Sequence, residues 1–260
     1  MIDAVRALWW REIAKFLRDR SRIAGALGQP LAFWVLLGFG FSGTFALPGG
    51  GPDVPYLTYL FPGIVALILL FTAIFSTIAV VEERQSGFLQ AALVAPQPRL
   101  ALVLGVVLGG TTLAVGQAML FLLLAPLAGL SPGLAGAAVV LLASTLTALA
   151  FTSLGFLLAW RLRTTRGFHA VMNLFLLPLW FLSGAFFPAE GAPPALQVLM
   201  QVNPAFYGVA ALRHGLHGLG EAPGTSVPLG VALGVSAAFA ALLLWLAARV
   251  VRRPLFAGDA

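Results

Sequence analysis

The chain has 260 residues, 60% of them apolar and 9% charged, with a mean hydropathy of +0.98. Soluble domains carry about a quarter charged residues, so a water-soluble globule is excluded and an integral membrane protein is indicated. The absence of cysteine removes disulfides, thiolate metal sites and cysteine nucleophiles together, and the net charge of +6 is no nucleic-acid signal, because the positive residues cluster beside apolar runs.

Residues 1–22 carry Ile2, Val5, Leu8, Trp9, Ile13, Phe16 and Leu17 at helical spacing, with Arg6, Arg11, Lys15 and Arg18 mainly off that stripe. This is the pattern of an amphipathic helix lying in the membrane interface. Six apolar runs follow, at about 23–47, 56–81, 100–126, 134–160, 169–188 and 227–248, each near or above the roughly 20 residues needed to span a bilayer. None contains Asp, Glu, Lys or Arg, and alternate connections hold 14 of the 15 positive charges. That asymmetry predicts six transmembrane helices with both termini in the cytoplasm. The predicted fold class is therefore all-α and multi-pass. A kink is expected at Pro178 inside the fifth run, and the pairs Gly105/Gly109 and Gly230/Gly234 permit close helix contact, as a weak signal.

Two connections stand out. The cytoplasmic elbow 82–99 places Glu82, Glu83 and Arg84 directly after an uncharged run. Phe88 to Val94 then reads as a short amphipathic helix that Pro96 and Pro98 end. An elbow of this length can dock a separate motor protein. In the external connection, the apolar stripe Leu196, Leu199, Met200, Val202 stops at Asn203-Pro204, and a second helical stretch, Ala205 to Leu216, follows. Two helices too short to cross predict an external re-entrant hairpin between spans five and six. Arg213 is the sole positive charge on that side, and a role in closing the outer end of the bundle is expected of it.

Residues equipped for chemistry are scarce. Inside the spans, Gln29, Gln117 and Asn173 are the notable polar side chains, read as helix-packing hydrogen bonds. His214 and His217 sit three apart without an acidic or Cys partner nearby, so neither a metal site nor a catalytic site is assigned. The only lysine, Lys15, follows Ala14, so no phosphate-binding G-x-x-x-x-G-K-[ST] loop exists. Uphill transport would have to be driven by another chain.

The elbow EERQSG with LVAP behind it, and the segment FLSGAFFPAEGAPPALQVLMQVNPAFYGVAALRHGL from Phe181 to Leu216, resemble the corresponding motifs of ABC-2 type transporter permeases. The order of spans fits as well. Where many members have Arg-Glu-x-Gly-Thr, this chain reads Arg84-Gln85-Ser86-Gly87-Phe88, and Gln90 replaces a frequent Glu; Glu82 and Glu83 are left to supply ionic contacts. The resemblance implies the membrane subunit of an ATP-driven exporter in the cytoplasmic membrane of a prokaryote. Such a chain pairs with a second permease chain, expected to be an identical copy, and with two copies of an ATP-binding subunit that carries the ATP and Mg. No cofactor is expected on this chain, and membrane lipids are its other neighbours.

By the same resemblance, Glu82, Glu83, Arg84, Gln85, Gly87 and Phe88 belong to the ATPase-coupling segment. Pro188, Asn203, Pro204, Tyr207 and Arg213 belong to the external gate, and Phe33, Phe71, Phe75 and Asn173 are pathway candidates for a hydrophobic or amphipathic cargo such as a drug, lipid or lipid-linked glycan. A membrane enzyme or assembly factor acting on lipid-linked substrates is the rival reading. Against it, Asp53, Glu190, Glu221 and two external His form no recognisable constellation. A non-transporting sensor permease is the third.

Overall fold

One helix, α3 (Tyr56–Ser76), is the axis of the molecule. Every residue from Tyr59 to Leu70 is buried, as expected of a helix that is apolar on all sides and therefore cannot rest at a surface. The computed structural model describes residues 1–41, 54–87, 98–219 and 222–251. Packed around or continuing α3 are α1 (Ile2–Arg18), α2 (Arg20–Gly40), α4 (Ile78–Gln85), α5 (Arg99–Leu122), α6 (Leu134–Arg161), α7 (Thr165–Trp180), α8 (Pro194–Val202), α9 (Pro204–Leu216) and α10 (Leu229–Val250). No strand occurs among the described residues.

Among the described residues, five stretches are long and apolar enough to cross a membrane: α3 with α4, α5, α6, α7 with the turn that follows it, and α10. The bent pair α8–α9 makes a sixth if it is one broken span. Burial falls from 78% of the most apolar window in α3–α4 to 28% in α10, so α3 is the core and α10 lies at the periphery. The first predicted span, 23–47, falls on α2, which runs from Arg20 to Gly40; residues 42–47 lie outside the described ones.

Small residues let helices approach where side chains would keep them apart. A Cβ on Gly63 would stand 2.5 Å from that of Ala185, and one on Gly155 would stand 3.0 Å from the Ile74 Cα. The pair Gly105/Gly109 is used in the same way. Cβ atoms there would meet Leu8 and Glu12 of α1 at 2.4 and 2.8 Å, so α1 runs along the first half of α5. The indole of Trp9 fastens this contact by donating to Thr112 Oγ1 at 3.0 Å, while Trp10 and Leu17 stay exposed on the other face. Gly230 and Gly234 meet nothing within 4 Å.

Beyond Pro178, where a kink is expected, the fifth span leaves regular helix. The helix α7 carries Pro178 inside a regular run, widens into a π turn at Phe181–Ala185, and departs from helical geometry at Gly184, φ 79°. That left-handed backbone is open to glycine at little cost. Past it, α8 and α9 meet at an angle of 85° at Asn203-Pro204.

Gly63→Val should overpack the α3 contact with Ala185 and destabilise the chain by about 1–3 kcal/mol, whereas Gly234→Ala should be neutral or stabilising by up to about 1 kcal/mol. Thermal unfolding in detergent micelles measures both, and equal losses would contradict the packing described.

Candidate functional site

Two polar assemblies occupy opposite ends of α3–α4. At one end, α3 passes into α4 through Thr77, whose hydroxyl donates to Ile74 O at 2.7 Å. The apolar half of α4 is buried through Val81; its charged half then reaches in two directions.

Toward α1, Glu83 accepts from Arg11 Nη2 at 2.8 Å, the same guanidinium nitrogen that reaches Glu12 at 2.7 Å. The Glu12 side chain is 6% exposed and that of Glu83 12%, so this cluster is held away from water. Lys15 and Glu82 lie 3.7 Å apart with both side chains about half exposed, a pair that contributes little. Toward α6, Arg84 donates to Trp160 O and to Leu162 O, the latter at 3.0 Å, and lies 5.5 Å from the Trp160 ring. A cation on carbonyls at the end of a helix satisfies acceptors that have no partner within the helix. Gln85 extends the contact by donating to Arg163 O at 3.1 Å, and Thr164 caps the start of α7 through the Gly167 N–H at 3.1 Å. The short α4 thus fastens α1, the end of α6 and the turn into α7 to one lever.

Of the six predicted coupling residues, Glu82, Gln85 and Gly87 are exposed, while Glu83 and Arg84 are half-buried and engaged inside the chain. Phe88, and the predicted amphipathic helix that it begins, lie outside the described residues.

At the other end, the π turn after α7 releases backbone carbonyls from helical bonding, and side chains collect them. Arg213, 1% exposed, donates to Gly184 O at 2.7 Å and to Pro223 O at 3.1 Å, and its guanidinium carbon lies 3.8 Å from the centre of the Tyr59 ring. The Tyr59 hydroxyl donates to the same Gly184 O at 3.1 Å. No carboxylate pairs with Arg213 among the described residues; carbonyl dipoles and an aromatic face take that place. Asn203 holds the bend between α8 and α9 by accepting from the Ala205 N–H at 3.0 Å and donating to Leu179 O at 2.6 Å. Pro204 opens α9, where its missing N–H has no consequence. Tyr207 donates to Gln201 O at 2.9 Å, and Pro188 is buried before the turn at Ala189–Gly191. Of the five predicted gate residues, Arg213 belongs to the clasp that it forms with Tyr59 on Gly184 O, whereas Asn203, Pro204 and Tyr207 belong to the bend between α8 and α9. Tyr59, its aromatic member, escapes the sequence reading, since a tyrosine near the start of a span looks like an interfacial anchor.

The four pathway candidates separate. Phe71 and Phe75 line a cavity between α1, α2, α3 and α5. Phe33 packs 6.1 Å from Trp180, and Asn173 is exposed on α7. His214 bonds Val227 O through Nε2 at 2.8 Å.

Residues 3–217 match the ABC-2 type transporter family. The chain belongs to that family. It is 30% identical over 257 residues to Nodulation protein J of Sinorhizobium fredii (strain NBRC 101917 / NGR234), covering 96% of this chain and 93% of that protein. It is 28% identical over 219 residues to Nodulation protein J of Rhizobium leguminosarum bv. trifolii, covering 80% and 79%. A putative transport permease, ycf38 of Cyanophora paradoxa, is 28% identical over 199 residues, covering 75% and 68%.

The clasp predicts an order of losses. Arg213→Ala leaves a cavity, releases Pro223 O and removes one of the two donors on Gly184 O, and should destabilise this ABC-2 permease by about 3 kcal/mol. Tyr59→Phe keeps the ring under the cation, loses one hydrogen bond, and should cost about 1 kcal/mol. Denaturant unfolding in mixed micelles gives both values, and a reversed order would refute the clasp.

Proposed function

We propose that this chain is the membrane subunit of an ATP-driven exporter. It sits in the cytoplasmic membrane of a prokaryote with both termini in the cytoplasm, and works with a second copy of itself and two copies of an ATP-binding subunit. The observation that carries the reading is the joint at α4, where Glu83 and Arg84 tie one short helix both to α1 and to the end of α6. A partner seated on the segment that begins at the exposed Glu82, Gln85 and Gly87 would move these elements together. ATP and Mg reside on that partner, and the chain itself hydrolyses nothing. Nucleotide-driven closure of two ATPase halves then biases the bundle between two arrangements.

The second copy is supported by two apolar exposed faces. Leu36 and Phe39 on α2, and Leu174 and Phe175 on α7, are each more than 60% exposed. Phe33 adjoins these faces and Asn173 lies on the second of them, which favours a pathway along the surface that two copies share. A hydrophobic or amphipathic cargo suits such a surface, and the relative named as a transport permease supports transport as the activity.

Reconstituted alone in liposomes, the chain should show no ATPase activity. With a cognate ABC ATP-binding subunit added, activity should appear. Glu82→Ala should weaken association of the two, while Arg84→Ala should leave association intact and lower transport per ATP hydrolysed by about tenfold, the effect of misplacing a lever by roughly 1.4 kcal/mol. Transport by the lone chain driven by an ion gradient would overturn the reading.

A further inference from the structure

The cavity that Phe71 and Phe75 line has a volume of about 340 Å³, within the range of sites that hold small ligands. Its walls are largely apolar, with Phe16, Leu67, Ile68 and Leu113 beside the two phenylalanines. Polar side chains share the lining: Glu12, Lys15, Gln29, Thr72, Ser76 and Gln117. Gln117, 5% exposed, accepts from the Thr72 hydroxyl at 2.6 Å, and its Nε2 has no hydrogen-bond partner.

This arrangement departs from the rest of the bundle. Thr111, Thr145 and Thr152 spend their hydroxyls on carbonyls four residues back in their own helices, which quiets a polar group in an apolar setting. Thr72 is turned outward to fix Gln117 Oε1 instead. The amide is thereby oriented with its donor side unpaired, and a buried donor without an acceptor is unfavourable. A flexible apolar chain carrying one acceptor fills both the volume and the bond.

We propose that this cavity holds an acyl chain of a membrane glycerolipid, whose ester carbonyl accepts a hydrogen bond from Gln117 Nε2. The carbonyl of such a lipid lies at the head of the chain, close beneath the phosphate. Lys15, on the same lining and 45% exposed at its side chain, supplies the cation for that phosphate, and Glu12 on the same lining suits a zwitterionic headgroup. The occupant joins α1 to α3 and α5, beside the Arg11–Glu83 pair that ties α1 to α4. The proposal goes beyond the export reading and does not rest on it, because the site belongs to the lone chain.

Native mass spectrometry of the full chain released from detergent tests it with two probes, palmitoyl lysophosphatidylethanolamine and its hexadecyl ether analogue, which differ only in the carbonyl. The wild-type chain should retain the ester about fivefold more tightly than the ether, the effect of one net hydrogen bond. Gln117→Met should abolish that preference while leaving ether binding unchanged, and Leu113→Trp, which fills the cavity, should remove both. Equal retention of ester and ether by the wild-type chain overturns the proposal without any variant. So does a preference that survives in Gln117→Met, or binding undiminished in Leu113→Trp. A positive result would stand even if the chain proved to export nothing.

Discussion

A carbonyl released from a helix inside a bilayer has no water to turn to, and each unsatisfied backbone group there costs several kcal/mol. Where its described helices are interrupted at the α3–α4 joint, after α7 and at the α8–α9 bend, side chains take up backbone oxygens. At the α3–α4 joint, Ser76 and Thr77 donate to Ala73 O and Ile74 O. After α7, Ser183 donates to Trp180 O, and Arg213 and Tyr59 share Gly184 O. At the α8–α9 bend, Tyr207 donates to Gln201 O, and Asn203 turns to Leu179 O near the end of α7. At these joints polar side chains stand where the backbone requires them.

The same constraint gives Arg213 a physical account. A guanidinium carries five donors in a rigid fork and no acceptor, so it suits a place where several carbonyls converge. An ammonium group would bring neither the spread of donors nor the flat face that lies on Tyr59. A carboxylate partner is not needed, because two carbonyl oxygens and an aromatic face already surround the cation. Arg84 repeats the solution at the opposite end, with two carbonyls and the Trp160 ring. The two arginines do the same work at the two ends of one axis.

This symmetry marks how far the sequence could be read. The apolar runs, the helical class, the break at Asn203-Pro204 and the importance of Arg213 were visible, because each depends on composition or on a residue with restricted backbone chemistry. The partners of the arginines were not. Gly184 O, Pro223 O, Trp160 O and Leu162 O are backbone atoms, and a backbone acceptor has no letter in the sequence. For the same reason Arg84 looked like a contact for another protein when it is engaged inside its own. Of two identical glycine spacings only Gly105/Gly109 meets a neighbouring helix, and nothing local distinguishes it from Gly230/Gly234. The departure from helix at Gly184 was not visible either, although positive φ is available there.

Transmission through the bundle depends on where it can yield. The axis α3 is enclosed on all sides, and at Gly63 and Gly155 its backbone is in near contact with Ala185 and α6, so it cannot slide without moving its neighbours, as expected of close-packed interiors. Thr77 is different. Its ψ of −6° departs from the helical value, and its N–H bonds to Ile74 O, three residues back, a tighter turn of the kind that often marks a hinge. A force on the charged half of α4 therefore has two routes: rotation about Thr77, or displacement of the whole axis toward the clasp at Tyr59. The Arg11–Glu83 and Arg84–Trp160 contacts oppose the first route, since rotating α4 alone would strip a buried carboxylate of its cation and the end of α6 of its cap. Under the exporter proposal, what remains is concerted movement of α4 with α1, α6 and α3, which would carry a partner's push on one end of the molecule to the Gly184 turn at the other.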